Sequence, residues 1–88
     1  MKTFKDLVFN TRPMGLSFAT FSRLTFDNGW EVSVVKGPYT YGGEDGLYEL
    51  AVFKDGEINY NNSVSNGDVC GYLTEDNVTK LMIEVQNF

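Results

Sequence analysis

Phe, Thr and Leu dominate residues 16–26, and after Asp27-Asn28-Gly29 strict alternation runs through Trp30-Glu31-Val32-Ser33-Val34. Both segments predict β-strands, because a period of two carried by β-branched and aromatic residues suits a half-buried sheet. The turn between them follows from the faces it creates. A two-residue Asn-Gly turn would pair Asp27 with Trp30 and Thr25 with Val32, setting a polar strand face against an apolar one. A three-residue Asp-Asn-Gly loop pairs Phe26 with Trp30, Leu24 with Val32 and Ser22 with Val34, which makes one face mostly apolar. The first hairpin is therefore expected to close with Gly29 left-handed in a G1 bulge. The same test on residues 47–53 and 57–61 favours a three-residue Lys54-Asp55-Gly56 loop. It places Val52 opposite Ile58 and Leu50 opposite Tyr60, with Gly56 left-handed.

From residue 74 the period changes to three or four. Thr74 is placed to cap a helix, Glu75 and Asp76 suit the positive end of its dipole, and Val78, Leu81, Met82, Val85 and Phe88 mark one face. Residues 66–73 are expected to form a short helical turn presenting Val69, Tyr72 and Leu73 inward. At the other end, Phe4, Leu7 and Phe9 punctuate a segment that begins as a helical turn after Thr3 and stops before the Asn10-Thr11-Arg12-Pro13 break. Together these elements predict one α+β domain over 1–88, a four-stranded antiparallel sheet of two hairpins with the C-terminal amphipathic helix on one face. The second sheet face carries Ala19, Phe21, Val35, Ala51 and Phe53, with Phe21 opposite Val35. Two readings of it stand: Phe4, Leu7 and Phe9 cover it, or it is a contact or self-association surface.

Composition narrows the function. At 88 residues, 42% hydrophobic and 15% aromatic, the chain supports one modest core. Seven Lys and Arg against twelve Asp and Glu give a net charge of −5, which argues against an electrostatic grip on nucleic acid or on an anionic membrane and favours a protein partner, a basic one in particular. One cysteine and no histidine exclude a disulfide framework, a zinc site and an imidazole base. Cys70 reads as a small buried residue, and a reducing cytosol as the compartment. Lys2, Lys5 and Asp6 interrupt any apolar signal core, and no run approaches transmembrane length, so a soluble, uncleaved protein is expected.

Candidate chemistry concentrates in Lys36-Gly37-Pro38-Tyr39-Thr40-Tyr41-Gly42-Gly43-Glu44-Asp45-Gly46, between the two hairpins. A glycine-rich phosphate cradle needs a helix N-terminus after it, whereas Leu47 begins a strand and Glu44 and Asp45 would repel phosphate. Glu44, Asp45 and Glu49 match no EF-hand spacing and read as a solvated acidic turn. No catalytic group, metal ligand or cofactor motif emerges. Tyr39 and Tyr41 on a mobile, glycine-flexed loop suit protein contact, since Tyr offers large contact area at low entropic cost; the alternative is that the rings fold back over the sheet edge. The candidate protein-binding residues are thus Tyr39, Tyr41, Glu44 and Asp45 in the insert, and Phe21 and Val35 on the second face.

Several strings carry a resemblance: Phe4-Lys5-Asp6-Leu7, Asp27-Asn28-Gly29-Trp30-Glu31-Val32-Ser33-Val34-Val35-Lys36-Gly37, Tyr41-Gly42-Gly43, Leu47-Tyr48-Glu49-Leu50-Ala51-Val52 and Asp68-Val69-Cys70-Gly71-Tyr72-Leu73-Thr74-Glu75-Asp76. They cover most of the chain and resemble a group of small proteins encoded by tailed bacteriophages, a family without a settled activity. The resemblance implies a phage accessory product in the host bacterial cytoplasm. In that setting the expected role is non-enzymatic binding of a bacterial host protein, including inhibition of a defence system in the manner of an anti-CRISPR. A homo-oligomeric phage structural or assembly component, such as a homodimer, is the alternative.

Overall fold

Six strands and one helix follow one another as β1 (Asn10–Met14), β2 (Ser17–Thr25), β3 (Trp30–Lys36), β4 (Tyr48–Lys54), β5 (Glu57–Ile58), β6 (Cys70–Leu73) and α1 (Glu75–Gln86) in the computed structural model, which describes residues 1–88. All strand pairings are antiparallel. The sheet runs β1-β2-β3-β4-β5, with β6 on the remaining length of the outer edge of β4, and curls into a half-barrel.

The first hairpin closes as its faces require. Ser22 lies opposite Val34 and Leu24 opposite Val32, the Phe26 N–H donates to Trp30 O at 2.8 Å, and Gly29 is left-handed at φ 86°. The second hairpin departs from the three-residue expectation. Lys54 pairs with Glu57 and Phe53 with Ile58, so the turn is Asp55-Gly56, with φ of 54° and 82°, the doubly left-handed conformation that matches strand twist. Apolar matching failed here because the core does not need Ile58. Leu50 is met by Cys70 of β6, Val64 from the intervening loop is buried in its place, and Ile58 is left 40% exposed.

Two strands lie outside the four-stranded expectation. β1 occupies the polar Asn-Thr-Arg-Pro stretch that reads as a break, and Pro13, which has no N–H to donate, is tolerated because β1 is an edge strand. β6 replaces the expected helical turn at the end of 66–73. Its Tyr72 is 61% exposed, not inward.

Ten buried residues form the core, with Val32, Val34, Leu50 and Val52 from the sheet facing Val78, Met82 and Val85 from α1. The helix starts where Thr74 Oγ1 accepts the Asn77 N–H and Asn77 Oδ1 accepts the Thr74 N–H, both at 3.1 Å. Its far end is closed by Phe88, whose ring meets Trp30 edge-on at 4.8 Å. Phe4, Leu7 and Phe9 do not cover the second sheet face. A 3₁₀ turn at Phe4–Asp6 docks on α1 through the Phe4 N–H to Thr79 Oγ1 bond, Leu7 enters the core, and Phe4 and Phe9 pack their rings 5.2 and 5.7 Å from Tyr48. The helix side attracts them because Tyr48, two residues before Leu50 on the same face, leaves an open aromatic end there. No helix is long and apolar enough to cross a membrane.

Candidate functional site

The insert between β3 and β4 is tied down by its own backbone. Gly37 N–H donates to Thr40 Oγ1 at 2.9 Å, and the Thr40 hydroxyl returns a bond to Gly37 O at 2.9 Å. Gly43–Asp45 forms a 3₁₀ turn, the Leu47 N–H donates to Gly42 O at 2.9 Å, and the Tyr72 N–H donates to Tyr41 O at 3.0 Å, stitching the insert to β6. A Cβ at Gly43 would run into Gly37 O. Glycine at 43 is there to let two backbones meet, a different role from the flexing that the sequence suggests.

Held this way, the insert displays its tyrosines. The Tyr39 ring lies against Gly15, at the tip of the β1–β2 hairpin. Both rings remain largely in solvent, Tyr39 76% and Tyr41 53% exposed. Tyr72 joins them with φ of 56°, a left-handed conformation that is an outlier for a bulky residue. It sits where the β4–β6 register shifts between Tyr48 and Leu50. Phe18 lies on β2 beyond its last pairing with β3, Thr20 to Lys36, and Leu16 sits in the Gly15-Leu16 turn before β2; they are 67% and fully exposed.

Of the sequence-derived residues, Tyr39, Glu44 and Asp45 come together with Tyr72, Pro38 and Thr40 around a depression of about 230 Å³. Tyr41 adjoins it through the bond to Tyr72. No Lys or Arg lines this depression, and neither Glu44 nor Asp45 has an ion-pair partner, since the molecule's one ion pair is Arg23–Glu31. Sequence reasoning missed Leu16, Phe18 and Tyr72. Gly15 before Leu16 was a usable signal, because a two-residue turn with glycine first would have put Leu16 at a hairpin tip. Nothing in the sequence marks Tyr72 as left-handed.

Phe21 and Val35 stand apart from the depression. They face each other across β2 and β3 as expected, on the sheet face turned away from α1, but the face is not bare. The Arg12 guanidinium lies 4.8 Å from the Phe21 ring centre. Arg23 lies 4.1 Å from that of Phe53 while its Nε and Nη2 donate to the two carboxylate oxygens of Glu31 at 2.8 and 3.0 Å.

Two titratable groups between these regions are perturbed. Burial, and then the negative charge of Asp68, push the Glu49 carboxyl up, against the Tyr41 backbone N–H, which favours the charged form. Burial, then Asp68 and Glu84, push the Cys70 thiol up. That thiol is half-buried and donates to Val64 O at 3.2 Å. Neither Glu49 nor Asp68 lines the depression beside Tyr72, and no three acidic, His or Cys side chains are grouped to hold a metal ion.

Fold and site together define a small α+β protein whose most exposed aromatic surface is the end of the sheet, built by the insert, the β1–β2 tip and β6. No family model, curated protein or solved structure matches the chain.

Proposed function

We propose that this chain is a phage-encoded, non-enzymatic binding protein that occupies a surface of a bacterial host protein, with inhibition of a host defence system in the manner of an anti-CRISPR as its role. The observation that carries the reading is the exposure of Tyr39 and Tyr41 in the insert and of Tyr72 in the strand bonded to it, with Leu16 exposed in the β1–β2 turn whose Gly15 the Tyr39 ring touches. Tyrosine-rich apolar patches of this kind mark contacts, and a tied-down loop presents them without the entropic cost of ordering it on binding. The phage and host setting comes from the sequence resemblance. The alternative is a homo-oligomeric phage component meeting through the Phe21 and Val35 face or through the edge strand; the face has less support, because guanidinium groups already cover its Phe rings.

The test is affinity capture from a bacterial lysate with the wild-type chain and with Tyr39→Ala/Tyr41→Ala, read by quantitative mass spectrometry. Proteins retained by the wild type are expected to be lost by the variant. Equal retention would show that binding, if any, lies elsewhere.

A further inference from the structure

β1 is the end strand of the sheet: β2 pairs with one side of it and no strand pairs with the other. An open edge offers its outward N–H and C=O groups to any extended backbone, and a second copy of the same edge is always at hand. Which groups of β1 face outward follows from the neighbouring hairpin. The Phe26 N–H donates to Trp30 O and the Gly29 N–H donates to Phe26 O, at 2.8 and 3.0 Å, so the backbone groups of Phe26 point to β3. Strand backbone groups alternate sides residue by residue, and the β2–β3 register runs without a shift from Thr25 and Glu31 to Thr20 and Lys36. Leu24, Ser22 and Thr20 therefore also bond toward β3, while Phe21, Ala19 and Ser17 bond toward β1.

Their partners on β1 are Asn10, Arg12 and Met14, whose backbone groups are thus committed to β2. Met14 and Ser17 also flank the two-residue Gly15-Leu16 turn, where a hairpin of this kind makes a bonded pair, so the same alternation is reached from both ends. The residues between them, Thr11 and Pro13, face the open side. Thr11 presents an N–H and a C=O there, and Pro13 a C=O and a pyrrolidine ring.

Open edges are commonly blunted by a bulge, by charged side chains or by proline. The register of β1 with β2 is unbroken, so no bulge twists it away. The strand holds no lysine or carboxylate, and its single charged side chain, Arg12, lies over Phe21 on the sheet face. We infer that the outer edge of β1 is a pairing surface for a second copy of this chain, held shut by Pro13. At an outward position the proline loses no bond within the molecule and removes a donor from any strand laid alongside. The inference rests on no reading of what the protein binds; it closes the edge route to a homo-oligomer and leaves the tyrosine end free.

Amide hydrogen exchange and sedimentation velocity on the full chain test it, with wild type, Pro13→Thr and Pro13→Thr/Thr11→Pro. In the wild type the Thr11 amide should exchange at least about tenfold faster than those of Arg12 and Met14, and the mass should stay that of one chain as concentration rises. Pro13→Thr adds an N–H that points to solvent, so the fold should be kept. Its mass should climb with concentration toward about twice that of one chain, while exchange at Thr11 slows. Adding Thr11→Pro, again at an outward position, should return the mass to that of one chain without unfolding it.

Three results would overturn the inference: a wild-type Thr11 amide as protected as that of Arg12, a Pro13→Thr chain that folds and stays single at every concentration, or wild-type association with protection at Thr11. The last would also support the homo-oligomeric reading. Wild-type association with the Thr11 amide still fast runs through another surface and supports the closed edge. The wild-type exchange pattern decides the matter even if neither variant folds.

Discussion

The outer sheet face and the loop end are both aromatic, and they are finished in opposite ways. On the face, Phe21 and Phe53 each lie under a guanidinium, and Arg23 is itself held by Glu31. At the end, Tyr39, Tyr41 and Tyr72 have no cation of the chain over them, and Glu44 and Asp45, which line the same depression as Tyr39 and Tyr72, have no ion-pair partner. A ring covered by a cation of its own molecule is part of the fold, whereas a bare ring beside carboxylates is free to meet something else. Apolar content alone does not separate the two regions; the placement of the few positive charges does.

The largest effect is expected where the end is built. Gly43→Ala drives a Cβ into Gly37 O and should cost about 3 kcal/mol in chemical denaturation, the upper range for overpacking. A cost below about 0.5 kcal/mol would mean that the insert is looser than its hydrogen bonds indicate. Next is Arg23→Ala, which strips Phe53 and leaves Glu31 unpaired. It should lose about 1 kcal/mol and, by baring a ring, promote self-association visible by light scattering.

Tyr39→Ala is the counterpart at the end and should stay within about 0.5 kcal/mol of wild type, because its ring is mostly solvated. Equal costs for Arg23→Ala and Tyr39→Ala would erase the contrast. Tyr72→Asn sharpens it further. Asn tolerates the left-handed backbone that Tyr does not, so stability should hold or rise by up to about 1 kcal/mol while the binding surface is damaged.

Glu49 supplies the smallest and most conditional effect. Its folded pKa is raised above the ordinary 4.5 by burial and by Asp68, so the native state holds the proton more tightly than the unfolded chain. Its contribution is therefore present below the unfolded pKa and is lost as pH rises through the folded value. Glu49→Gln should gain in thermal midpoint over wild type as pH rises from about 4 to about 7. A constant difference across that range would show that the carboxylate is not penalised.

Much of the fold was legible because local rules and the core agreed. The 3.6-residue period and Thr74 cap defined α1, and the face test placed the 26–30 pairing and Gly29. It failed at Asp55-Gly56, where the unknown was not the turn but the neighbour: β6 claims the edge of β4 that Tyr60 was expected to fill. β1 was hidden because an edge strand need not be apolar and tolerates proline, so Asn10-Thr11-Arg12-Pro13 carries no strand signal of its own.

At the site, Tyr39, Tyr41, Glu44 and Asp45 were identifiable as a loop cluster. Tyr72 and Leu16 reach it only through long-range pairing, which periodicity cannot supply. The close backbone approach at Gly43 was missed for the same reason. Glycines that permit close backbone approach look, in sequence, like glycines that permit motion.

Hydrogen–deuterium exchange of the chain, free and in complex with the protein it captures from a bacterial lysate, tests the contrast between the two regions most directly. Slowed exchange at residues 15–18, 39–46 and 71–72, with 21–23 and 51–53 unchanged, is the predicted result. Protection confined to 21–23 and 51–53 would place the contact on the guanidinium-covered face and contradict the account.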